Sequence, residues 1–234
     1  MVVTAMVSLP ALAAHPLQTE DTGTQGPGNV EIENGLSWTR ANGSTVFVYQ
    51  PQVSYGLTDA TDLIVQPSWV HGPAAHGVGD TNLDAKVRFY GEAPWSAGIR
   101  AGARLATNQN GLGLRHGDAA AHAVLIATYD AAPVTVHANF GINVNPVSNG
   151  GRRVDRRVSA AIMWAATERL TWTVDAGTSS DPDPGRTAWP STLLGGAIYT
   201  IRPGLDVDIG YQASSSAHPS FRQWLMGLTY RFAL

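Results

Sequence analysis

The sequence contains no cysteine, so it can build neither a disulfide framework nor a thiolate metal site. Charge is scarce, at 14% Asp, Glu, Lys and Arg, and it balances to a formal −3. With no basic field, and with Lys and Arg scattered along alternating segments, the composition argues against nucleic acid as a partner. No apolar run reaches the roughly 20 residues that a membrane helix needs, which excludes a helical membrane protein. A mean hydropathy near zero leaves the membrane itself open, because a spanning strand needs only about ten alternating residues.

What is present is alternation. Over 220–234, Trp224, Met226, Leu228, Tyr230 and Phe232 share one parity, and Gln223, Gly227, Thr229 and Arg231 take the other. Leu225 is the one apolar residue on the polar side. A β-strand points successive side chains to opposite faces, so such a segment has one greasy wall and one wet wall. From Val30 onward the same pattern predicts about twelve strands, near 30–40, 45–55, 62–71, 81–92, 95–108, 119–130, 134–145, 154–167, 170–179, 191–201, 205–214 and 221–232. Short connectors (56–60, 93–94, 131–133, 168–169, 202–204) alternate with mostly longer ones rich in Gly, Asn, Ser and Pro (72–80, 109–118, 146–153, 180–190, 215–220), with 41–44 the short exception. That rhythm predicts an all-β fold, a closed antiparallel up-and-down transmembrane β-barrel of about 12 strands with short periplasmic turns and longer external loops. The even strand number puts both ends of the barrel on the periplasmic side.

The expected organisation has three parts. Residues 1–14 read as a signal peptide: an apolar stretch (Val2, Val3, Met6, Val7, Leu9) ends in Ala11-Leu12-Ala13-Ala14, although a basic n-region is missing, and a disordered apolar tail is the alternative. Residues 15–29 lack periodicity and read as a periplasmic lead-in or a plug of the lumen. Residues 30–234 form the barrel, expected as a monomer in the outer membrane of a Gram-negative bacterium.

Charge cost assigns the walls, since an Arg or Lys facing hydrocarbon at the bilayer midplane costs about 2–4 kcal/mol. Lys86, Arg88, Arg100 and Arg104 therefore face the lumen, as does Tyr90 by parity, while Leu83, Val87, Phe89, Ile99 and Leu105 face lipid. His137 turns inward between Val136 and Ala138, and Asp206 and Asp208 line an acidic arc. Closure between the first and last strands brings Glu31 and Glu33 near Arg231, with Asp206 and Asp208 approaching Arg231 from the other side. These charges are expected to contact solute through a transverse field, or else to be ion pairs that fill a narrow barrel. The cluster Arg152, Arg153, Arg156 and Arg157 sits where a long loop enters a strand; Arg152 and Arg156 take the lipid parity, where lipopolysaccharide phosphates lie, and Arg153 and Arg157 turn inward. Trp38, Tyr55, Trp69, Trp95, Trp172 and Trp224 read as interface anchors.

Other chemistries are weaker. Gly77-Val78-Gly79-Asp80 is followed by no predicted helix, so it cannot be a phosphate loop; Asp80, Asn82 and Asp84 could form a calcium turn, but a glycine bend into a strand is the plainer reading. A lipid hydrolase would draw on His71, His116, His122 or His137 with Ser159 or Ser179. No Gly-x-Ser-x-Gly elbow is present, and His122 and His137 take the lumen parity, so no enzymatic activity and no cofactor is expected.

Three stretches, residues 15–28, 30–35 and 77–90, resemble the MetA-pathway of phenol degradation family of outer-membrane proteins. The resemblance implies a β-barrel with a transporter-like part in uptake of small, often aromatic, compounds. The chain departs from the family in its missing basic n-region and in the Ala233-Leu234 tail, which bears on recognition by the barrel insertion machinery.

Overall fold

The computed structural model describes residues 15–73, 76–108, 114, 118–146, 151–215 and 220–234. The proposed signal peptide and His116 lie outside them. Alternation is realised as β1 (Asn29–Ala41), β2 (Ser44–Thr58), β3 (Thr61–Gln66), β4 (Trp69–His71), β5 (His76–Val78), β6 (Thr81–Glu92) and β7 (Trp95–Leu105). Then follow β8 (Ala119–Ala131), β9 (Val134–Val144), β10 (Val154–Ala165), β11 (Leu170–Ser179), β12 (Ser191–Arg202), β13 (Leu205–Ser215) and β14 (Phe221–Ala233). β14 returns to pair with β1, so the sheet closes and no long edge is left to aggregate. β3 with β4, and β5 with β6, each make one stave, which gives a closed antiparallel barrel of twelve staves.

Two local rules break the expected regularity. Val53 pairs with Val65 and Tyr49 with Trp69, so Pro51 and Pro67 face each other between these pairs. Proline has no N–H to give a ladder, and the third stave is interrupted there instead of running unbroken from 62 to 71. Inside the predicted loop 72–80, β5 forms and a bulge follows, where the Gly79 amide donates to the Ser68 carbonyl (2.8 Å). A second bulge, between Arg88 and Tyr90, sets Tyr90 against Ala97 on the outer wall. Parity had placed Tyr90 inside. The short external turn is a hairpin in which Asn42 and Gly43 both take positive φ, 49° and 77°, as an Asn-Gly two-residue loop demands.

Burial is inverted relative to a water-soluble domain. Glu31, Asp62, Asp84, Lys86, Arg100, Asp175, Asp206 and Thr229 are buried, while Leu83, Phe89, Leu125, Ile162, Trp172 and Leu193 are exposed on the outer wall. Aromatic pairs sit at the two rims: Trp38 against Phe47, Tyr49 against Trp69 and Tyr211 against Trp224 toward the external loops, and Trp95 against Tyr129 toward the short turns. One expected outcome follows for the outer wall. Leu125 lies mid-strand on β8 facing outward, so Leu125→Arg is expected to lower unfolding stability in phospholipid vesicles by about 2–4 kcal/mol. Urea titration of the reconstituted barrel measures it; an effect near zero would mean that this wall does not face hydrocarbon.

Candidate functional site

The lumen is the site, and residues 15–28 run through it. A stretch without secondary structure can be buried only if its backbone polar groups find partners. Here the wall supplies them from inward-pointing side chains. Asp175 on β11 accepts from the Gln18 and Thr19 amides (2.7 and 2.8 Å). Asn139 on β9 accepts from the Glu20 amide at 2.7 Å and donates to its carbonyl at 2.9 Å. Asp62 on β3 accepts from the Gln25 amide at 3.0 Å, and the Thr19 hydroxyl donates to Ser159 on β10 at 2.8 Å. Charge adds to this: Glu20 lies 2.6 Å from Arg100, Asp21 lies 3.4 Å from Lys86, and His15 meets Asp208. Burial alone would push the Asp21 carboxyl up, but Lys86, His137 and the Gly23 amide outweigh it and hold that carboxyl below the usual aspartate range.

Inward glycines and an apolar patch shape the bed. A Cβ at Gly56 would fall 1.8 Å from the Gly26 carbonyl oxygen, and one at Gly210 would fall 2.9 Å from the Pro16 ring. Only glycine lets the segment approach the wall so closely. Leu17 buries with Ala161, Met163, Leu194, Ile198 and Leu225, all on the inward parity of β10, β12 and β14.

Beside this segment a cavity of about 390 Å³ remains, bounded by β1, β2, β3, β6, β10 and β14 and by residues of the 15–25 stretch. Six glutamines line it: Gln18, Gln25, Gln50, Gln52, Gln66 and Gln223. A second cavity, also about 390 Å³, lies toward the long loops, lined by Arg104, His122, Asn143 and Asn145; it shares Gln50 and Asn82 with the first.

The predicted site residues divide between these surroundings. Lys86, Glu31 and Glu33 line the inner cavity, and Arg104 lines the outer one. Arg100 is clasped by Asp84 (2.7 Å) as well as Glu20, and Arg231 lies 2.6 Å from both Glu31 and Asp206. Glu33 and Asp208 do not reach Arg231: Glu33 accepts from Gln52, and Asp208 meets His15. Arg88 lies at the short-turn end of the barrel, where it donates to the Asp59 carbonyl at 2.8 Å. His137 is buried between Thr128 and Met163, away from both cavities. Arg152 does not reach out to lipid phosphate. Its guanidinium donates to the carbonyls of Asp181, Asp183 and Arg186, stitching its own loop to the next, whereas Arg156 stays exposed on the outer wall. Asp80 and Asp84 do not form a calcium turn: Asp80 accepts from Asn108 and the Leu114 amide, and Asp84 holds Arg100 and His122. Ser159 is engaged by Thr19, and among the described residues no serine–histidine hydrogen bond is formed.

Parity reasoning missed the wall residues that hold the segment, Asp62, Asn139, Asp175 and Ser159, and the glutamine lining. Leu225 was the visible signal, since an apolar side chain on a wet wall needs an apolar partner.

No protein-family profile and no curated protein matches the chain. Solved structures do. The COG4313 outer-membrane channel from Pseudomonas putida F1 aligns with a TM-score of 0.66 at 14% identity, covering 91% of this chain and 98% of that one. The NanC porin aligns at 0.65 and 10% identity, covering 84% and 98%. The KdgM porin, solved with disordered oligogalacturonate, aligns at 0.65 and 10%, covering 86% and 99%. At these identities the likeness concerns the fold: the closed twelve-stranded antiparallel barrel of this chain matches outer-membrane porins and channels.

Proposed function

We propose that this chain is an outer-membrane barrel that passes small solutes passively along a narrow path beside residues 15–28. The observation that carries the reading is the polar cavity left between that segment and the β1–β2–β3 wall, continuous in its lining with the outer cavity through Gln50 and Asn82. A barrel filled only for stability has no need of two polar cavities end to end, because unfilled space forfeits packing. Structural similarity to porins and channels supports the same class. The aromatic solutes implied by the family resemblance fit less well, as the inner lining is mainly amide and carboxylate. The greasy outer wall supports a setting in lipid; there the exposed Arg156 would face lipopolysaccharide phosphate, and β14 would be the strand presented to the insertion machinery.

Planar bilayers test this. Purified barrel is expected to give a small, ohmic conductance. Silent bilayers from protein whose gel mobility still shifts on heating, the mark of a folded barrel, would leave a closed structural barrel in its place.

A further inference from the structure

We infer that the inner cavity selects an uncharged, hydroxyl-rich solute of about monosaccharide size; this rests on the channel reading and names its solute class. The charges that line the cavity are already engaged. Glu20 is held by Arg100, Asp21 by Lys86, Glu31 by Arg231 and Gln25, and Glu33 by Gln52. Arg157 also lines the cavity; it makes no ion pair among the described residues, and the carboxylates that act on its charge are Asp175 and Glu20. A cationic solute would have to leave water without gaining a counter-ion or else break an existing pair, and an anionic one would have to compete with Glu20 and Asp175 for Arg157.

The groups left free are amides. Gln18, Gln50 and Gln223 make no side-chain hydrogen bond among the described residues, Gln66 has its donors unused, and Gln25 and Gln52 have their amide oxygens unused. Each amide offers an acceptor oxygen and two donor hydrogens, which matches a hydroxyl, itself both donor and acceptor. Leu17 and Leu225 add a small apolar patch of the kind on which the C–H face of a sugar ring rests. The volume of about 390 Å³ holds about a dozen waters, at the lower end of small-molecule sites. Solutes with many hydroxyls can exchange those waters one for one as they pass.

Swelling of liposomes carrying the full barrel tests the class, with a pentitol, the sugar acid and the amino sugar of equal carbon number, and an aromatic acid. The pentitol is expected to enter severalfold faster than the others. In Gln50→Leu/Gln223→Leu, checked for folding by heat-shifted gel mobility, the pentitol-to-acid ratio is expected to fall about fivefold, the effect of losing roughly one net hydrogen bond. Equal or faster passage of a charged or aromatic compound, an unchanged ratio in the folded variant, or ion conductance without any swelling would each overturn the solute class while leaving the channel standing. Silence in bilayers as well would overturn the channel reading itself.

Discussion

Removing residues 16–25 is expected to raise single-channel conductance severalfold while the barrel stays folded. Every strand pair of the barrel is independent of this segment, so the wall persists without it. What the segment supplies is obstruction: it carries Glu20, Asp21 and Leu17 into the lumen and satisfies its own backbone on side chains of β3, β8, β9 and β11. Ordering such a stretch costs about 1–2 kcal/mol per residue, a cost that its anchors on the wall must offset to keep it seated. Acid weakens one anchor in a definite direction. Asp21 is held below its ordinary range when docked, so its contribution to docking is full above that range and is lost as pH falls from there through the lowered, docked-state value. Since the sequence has no cysteine, Thr19→Cys/Ser159→Cys introduces one addressable pair where the two hydroxyls now stand 2.8 Å apart. If solutes use the cavity beside a seated segment, oxidising that pair leaves conductance unchanged. If the segment must leave first, oxidation abolishes conductance and reduction restores it. Deletion with no change in conductance would show that the segment does not narrow the path.

The barrel was legible in the sequence because lipid imposes a period of two that nothing else in the chain obscures. All twelve staves are recognisable where alternation puts them, and the departures are local: Pro51 against Pro67, β5 inside the predicted loop 72–80, and the bulge that turns Tyr90 outward. The lumen was legible only as a parity. Any polar residue satisfies a wet wall, so alternation cannot distinguish Asp175, which holds the Gln18 and Thr19 amides, from Asp206, which holds Arg231. The path of residues 15–28 has no period at all and is set by its partners. Arg152 shows the same limit at the rim, since its parity was right for the strand but its partners belong to the 181–186 loop.

Arg100→Ala is expected to be the most damaging single substitution in the lumen and to move ion selectivity toward cations. Arg100 is buried on β7, with Asp84 2.7 Å and Glu20 2.6 Å from its guanidinium. Deleting it leaves Asp84 with His122 at 2.7 Å, and Glu20 with Lys86 at 3.9 Å. Breaking a buried pair from one side costs about 3–5 kcal/mol, because the remaining charge stays in place without its partner. Glu20, freed at the cavity wall, adds negative charge where ions pass. Arg104→Ala is the contrast: that side chain is half-exposed and 3.8 Å from Asp80, so stability should change by less than about 1 kcal/mol while selectivity still moves toward cations. The cause is separable from simple loss of bulk. If uncompensated charge is what destabilises, adding Asp84→Asn to Arg100→Ala should recover part of the lost stability in urea, a coupling that two independent defects would not show. A double variant less stable than Arg100→Ala would place the cost in packing, and an unchanged reversal potential in Arg100→Ala would remove Glu20 from the conduction path.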